Sequence, residues 1–176
     1  MRTATLEELH IMREKWQRDG LQLVFTNGVF DLLHSGHVVY LEQARALGDV
    51  LVVGLNSDAS TQAIKGTSRP LMPAAERALV LTALRCVDYV TIFEPTTAEQ
   101  LVATLKPDVY VKGGDYAVPD MTADVGAPQA VDYERLPEAR IVRDYGGEVV
   151  LLPYQAGRST TALVEKIVRV YRGGRQ

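Results

Sequence analysis

Cysteine is almost absent: Cys86 is the single one in 176 residues. That excludes a disulfide framework within the chain and any metal site built from several cysteines. Long apolar runs are missing too. No stretch approaches the roughly 20 residues of a membrane span, and the N-terminal MRTATLEELH lacks the apolar core of a signal peptide. A cytoplasmic protein without a membrane segment is the expectation. Neither sign of charge dominates: a net charge of -3 and a pI near 5.6 give no surface for duplex nucleic acid, yet leave room for a local basic pocket that takes an anionic small molecule. Two phosphate-binding signatures, G-x-G-x-x-G and G-x-x-x-x-G-K-[ST], do not occur, which disfavours redox dinucleotides and P-loop hydrolysis. There is no repeat at solenoid periods and no low-complexity tract.

What the chain does contain is ordinary for one globular domain, with 47% hydrophobic and 23% charged residues. A chain of this length buries roughly 70% of its unfolded surface. Thr5 and Glu8 read as a capping box for a helix that Asp19 and Gly20 stop, so residues 1–20 form an N-terminal helix. Apolar runs at Leu21–Phe25, Val50–Leu55, Tyr89–Phe93, Val109–Val111 and Val149–Leu152 alternate with helical patterns beginning at His37, Glu76, Thr96, Arg140 and Gly157. Strand and helix in alternation predict an α/β fold: a single doubly wound, Rossmann-like domain with a mostly parallel sheet of about five strands. The last helix is expected to pack through Leu163, Val164, Ile167, Val168 and Tyr171. Residues 117–137, with three prolines and no sustained period, read as a long surface excursion.

The informative stretch is residues 21–37, LQLVFTNGVFDLLHSGH. A strand breaks into small and polar residues and delivers His34 and His37, with Gly36 between them, where a helix begins. Helix N-termini hold anions through unpaired amides and the dipole, and imidazole Nε2–H groups can donate to phosphate without a permanent charge. On the helix from His37, the residues His37, Tyr40, Leu41, Ala44 and Leu47 share one arc, which puts His37 at the end of the buried stripe. Asp31 reads as a cap for that helix. Asn56, Ser57 and Asp58 stand at the C-terminal end of the second strand, where α/β sheets place ligand-binding groups. The segment 65–73, KGTSRPLMP, is an exposed loop, and Arg77 beyond it has the pattern of a surface group.

FTNGVFDLLHSGH, followed in order by GLNSD, VKGGDY and GRSTT, resembles the cytidylyltransferase-like nucleotidyltransferases, whose hallmark is H-x-G-H. The likeness runs from about residue 21 to residue 172 and implies a nucleotidyltransferase domain over 21–172. Within the family these motifs are most similar to the branch that adenylylates a heptose 1-phosphate. The resemblance implies that a sugar 1-phosphate attacks the α-phosphorus of ATP, with Mg²⁺ neutralising phosphate charge, pyrophosphate leaving and an ADP-sugar forming. No protein-held metal ligand is implied. His34, His37, Lys65 and Arg158 are implied as catalytic. Thr26, Asn27, Phe30, Gly36, Gly113, Gly114, Asp115, Ser159 and Thr160 are implied at the nucleotide, and Asn56, Asp58 and Arg77 at the acceptor. Lys65 is implied in a mobile loop that closes on the phosphates. A homodimer is implied as well. Bifunctional relatives carry a sugar kinase ahead of this domain, and here only a short helix stands there, so any kinase step is expected on another chain. A CTP-dependent enzyme acting on an alcohol phosphate such as glycerol 3-phosphate, and a silent nucleotide-binding module, are the competing readings.

Overall fold

The computed structural model describes residues 3–113, 131–153 and 160–173. Five strands form one sheet: β1 (Leu23–Gly28), β2 (Val50–Asn56), β3 (Tyr89–Phe93), β4 (Val109–Gly113) and β5 (Glu148–Leu152), in the order β3-β2-β1-β4-β5. Every pair is parallel, as the continuous apolar runs require of strands covered on both faces. Strand order reverses between β1 and β4, which opens a crevice at their C-terminal ends. β1 runs further than the apolar signal, through Thr26, Asn27 and Gly28, because those residues keep the ladder with Val53, Gly54 and Leu55.

Alternate β1 residues face opposite cores. Leu23 and Phe25 pack with α1 (Leu6–Arg18), α5 (Glu99–Leu105) and α6 (Pro137–Asp144), while Val24 packs with α2 (Ser35–Arg45) and α4 (Ala74–Thr82). α1 carries the expected capping box. Arg13 fixes it to the sheet, donating to Leu105 and Lys106 carbonyls and pairing with Asp108 at 2.9 Å, and Asp108 in turn accepts the Leu23 amide. Close approach governs Gly54: a Cβ there would stand 2.8 Å from the Phe25 ring and 3.1 Å from Asn27 Cβ. Gly54→Ala is expected to destabilise the protein by about 1–3 kcal/mol, read as a lower urea midpoint at unchanged slope.

Several local expectations change. α3 (Asp58–Lys65) is a helix not expected between the second strand and the 65–73 loop, and Ser57 caps it by accepting the Ser60 amide. α2 begins at Ser35 and not at His37. α4 stops at Thr82, short of Val87, and α6 begins at Pro137, inside the stretch read as excursion. Thr96 does not cap α5; Ala98 occupies the cap and its amide goes to Glu138. Finally, α7 (Thr160–Gly173) leaves Leu163, Ile167, Val168 and Tyr171 exposed, so its apolar stripe is not packed among the described residues. Periodicity reports a stripe, not what covers it. No helix among the described residues is long and apolar enough to cross a membrane.

Candidate active site

A cavity of about 790 Å³ opens over the C-terminal ends of the strands. Its walls bring together Asn27, Phe30, His34, Gly36, His37, Asn56, Gly113 and Thr160, drawn from four separated motifs, and Lys65. Gly114, Asp115, Arg158 and Ser159 lie outside the described residues.

The β1–α2 turn sets the phosphate wall. Phe30 adopts φ 46°, a left-handed conformation that costs a non-glycine residue energy and collects at functional turns. Its ring lies 3.1 Å from where a Gly28 Cβ would stand, so a side chain there would press on the ring. His34 caps α2: its Nδ1 accepts the Gly36 amide at 3.1 Å. His37 Nδ1 accepts the His34 amide at 3.4 Å. With both Nδ1 atoms accepting, the proton of each neutral ring sits on Nε2. The two rings stack 3.9 Å apart, and Phe30 meets His37 edge-on at 5.4 Å. Burial, then the charge of His34, drives the His37 pKa down from 6.5 to about 4. His37 thus stands as a neutral donor beside His34 at the positive end of α2.

The sign of the linkage follows. Between pH 6.5 and about 4 the unfolded chain takes up a proton at His37 that the folded chain refuses, so this residue's contribution to stability is present above pH 6.5 and lost as pH falls through that window. NMR titration of the His37 ring is expected to show a midpoint near 4 in the ligand-free protein; a midpoint near 6.5 would show an ordinary exposed histidine.

Asn27 is oriented by β4. Tyr110 Oη donates to its Oδ1 at 2.8 Å and Lys112 Nζ approaches the same oxygen at 3.3 Å, which turns the Nδ2 donor the other way. Thr26 is not on the cavity wall: it is fully buried, with Oγ1 2.8 Å from Tyr40 Oη, and it braces Tyr40, which is.

Two residues expected at the acceptor, Arg77 and Asp58, and one expected as a cap, Asp31, are placed elsewhere by the geometry. Arg77 is no surface group and does not line the cavity. It is 2% exposed, donating to Met72 and Asn56 carbonyls at 2.9 Å, to Val29 O at 2.6 Å and to Asp58 at 2.7 Å. Asp58 likewise serves structure, taking Arg77 and the Ala74 amide. Asp31 does not cap α2. It pairs with Arg69 at 2.6 Å and accepts the Leu71 and Met72 amides. Burial alone would raise the Asp31 pKa, but Arg69 and those amides outweigh it and hold the carboxyl below its usual range. Asp31 therefore ties the 66–73 connection to the phosphate turn, with Lys65, the last residue of α3, exposed on the cavity rim at its start.

Lys112, Tyr40, Arg69, Arg135 and Glu138 also line the cavity and were not singled out from sequence. Tyr110 and Lys112 alternate on β4, a period of two that pointed to one face; Glu138 follows an irregular stretch and left no signal.

Comparison with known proteins agrees with this geometry. The sequence profile of the cytidylyltransferase-like family matches residues 25–165. The chain is 48% identical over 168 residues to the bifunctional protein HldE of Syntrophotalea carbinolica, covering 96% of this chain and 31% of that one. It is 51% identical over 152 residues to the bifunctional protein HldE of Geobacter metallireducens, covering 86% and 28%. The chain thus spans less than a third of the length of these relatives. Among solved structures, the lipopolysaccharide core biosynthesis protein of Thermoplasma volcanium superposes with TM-score 0.55 at 28% identity, over 77% of this chain and 98% of that one. Pantoate-beta-alanine ligase of Francisella tularensis, at 16% identity and TM-score 0.60 over 92% and 69%, shares the fold.

Proposed function

The chain belongs to the cytidylyltransferase-like family, and from that premise we propose that it transfers AMP from ATP to a heptose 1-phosphate, giving an ADP-sugar and pyrophosphate. The observation that carries this reading is the stacked histidine pair at the start of α2, with both Nδ1 atoms accepting backbone amides and Nε2 left as the donor of a neutral ring. An oxygen of the sugar phosphate attacks the α-phosphorus, the bond to the bridging oxygen of pyrophosphate breaks, and negative charge grows on that oxygen. Nε2–H donors placed there act where charge develops, which is the largest lever such a site has. No covalent enzyme intermediate is needed.

Lys65 on the rim is proposed as the mobile cation that closes on the phosphates, and Arg158, Ser159 and Thr160 as a second phosphate site, with Thr160 at the start of α7. Gly113, Gly114 and Asp115 are proposed beside the base and ribose. Among the described residues no group of three or more His, Cys, Asp or Glu could hold a metal, and Asp31 is committed to Arg69; magnesium is therefore taken to arrive as MgATP, held by phosphate oxygens. A cytoplasmic homodimer belongs to the same reading, and the exposed stripe of α7 has the character of a subunit contact.

Crossing ATP and CTP with a panel of sugar and polyol phosphates, and reading pyrophosphate release, tests the proposal. Product with ATP and heptose 1-phosphate supports it. Product with CTP alone overturns the adenylyl assignment, and nucleotide binding without pyrophosphate release from any pair indicates a silent module.

A further inference from the structure

Besides the donors of the histidine wall and the cations on its lining, the cavity presents two acceptors. Asn56 is 3% exposed at the end of β2 and lines the cavity. Ser60 Oγ gives its single hydrogen to Pro95 O at 2.8 Å, so toward Asn56, at 2.9 Å, it can only accept. Asn56 Nδ2 therefore faces Ser60, and Oδ1 has no partner among the described residues. Glu138, in the first turn of α6, is 4% exposed and lines the same cavity. Its Oε1 accepts the Ala98 amide at 2.7 Å, and Oε2 has no partner among the described residues. Neither open oxygen is sealed in the interior, where the unpartnered side-chain atoms are Arg13 Nη1 and Thr61 Oγ1. The cavity is what they reach.

Glu138 and Ser60, the partner of Asn56, hold one segment. The connection from β3 to α5 is held to the α3 side by Ser57 on Glu94 and Ser60 on Pro95, and to α6 by Ala98 on Glu138. His34, Gly36 and His37 belong to the α2 side of the sheet and Glu138 to the α6 side, where Asn27 and Lys112 also stand, so Glu138 lies on the other flank of the cavity from the histidines.

We propose that Asn56 Oδ1 and Glu138 Oε2 form the subsite that reads the ring hydroxyls of the acceptor sugar, an inference that rests on the sugar 1-phosphate reading above. A buried carboxylate and an amide oxygen reject phosphate and accept from hydroxyls. They orient the sugar while its phosphate is directed across to the histidines.

Glu138→Gln keeps the side-chain volume and an oxygen for the Ala98 amide while replacing the open acceptor with a donor. Losing a hydrogen bond to a charged group corresponds to about a tenfold rise in KM for the sugar 1-phosphate. KM for ATP and the melting temperature are expected to stay unchanged, and a deoxy acceptor lacking the hydroxyl that Glu138 reads should bind wild type and variant alike. An unchanged sugar KM, or a rise in the ATP KM instead, overturns the subsite. A fall in melting temperature with both KM values rising marks Glu138 as a plain anchor of α5 and overturns it as well. Failure of wild type to turn over any sugar 1-phosphate is a different result: it removes the parent reading, and the subsite with it.

Discussion

His37→Asn is expected to lower kcat by ~100-fold to ~1,000-fold while leaving the melting temperature nearly unchanged. Asparagine Oδ1 can take over the acceptor role that His37 Nδ1 fills toward the His34 amide, so the cap of α2 survives. What disappears is Nε2–H, the donor proposed to reach the developing charge. Because that interaction strengthens in the transition state, the loss falls on kcat and kcat/KM together and spares KM for ATP. Steady-state kinetics on the variant checks it. Normal turnover would show that the histidine pair is structural, and a raised KM at unchanged kcat would show that His37 only binds the ground state.

Arg77→Met is expected to cost about 3–5 kcal/mol of stability, the usual penalty for removing one member of a buried charged network. Methionine fills the apolar stem but leaves the carbonyls of Met72, Val29 and Asn56 without their donor. Asp58, half exposed, regains water, so the carbonyls carry the loss. In a protein of this size the melting temperature should fall by roughly 10 °C or more. The same guanidinium joins the phosphate turn at Val29 to the end of β2 at Asn56, so residual activity should fall as well. Thermal unfolding within 2 °C of wild type would contradict the network as described.

The strands and the place of the histidines were legible because they rest on local signals. Apolar runs bounded by glycine, aspartate and proline fixed β2 and β3 within a residue, and Thr5 with Glu8 marked the start of α1. Long-range polar partnerships were not legible. Arg77 reads as a surface cation on its own helix because its partners lie 5, 19, 21 and 48 residues away. Asp31 precedes a helix and so resembles a cap, yet its partner Arg69 is 38 residues on. α3 is a single short helix rich in Ser, Thr and Gln, too polar for an apolar period to announce. Orientation was hidden too: which nitrogen of His34 and His37 carries the proton depends on the two backbone amides that their Nδ1 atoms accept.

Transfer of the whole sugar phosphate to the α-phosphorus of ATP is the central claim, and oxygen-18 in the non-bridging phosphate oxygens of a heptose 1-phosphate tests it most directly. Followed by phosphorus NMR with MgATP, the reaction is expected to retain every label in the ADP-sugar, one of them in the new bridge between the two phosphorus atoms, and to release unlabelled pyrophosphate. Label in released phosphate, or AMP and pyrophosphate formed without a labelled bridge, would contradict it.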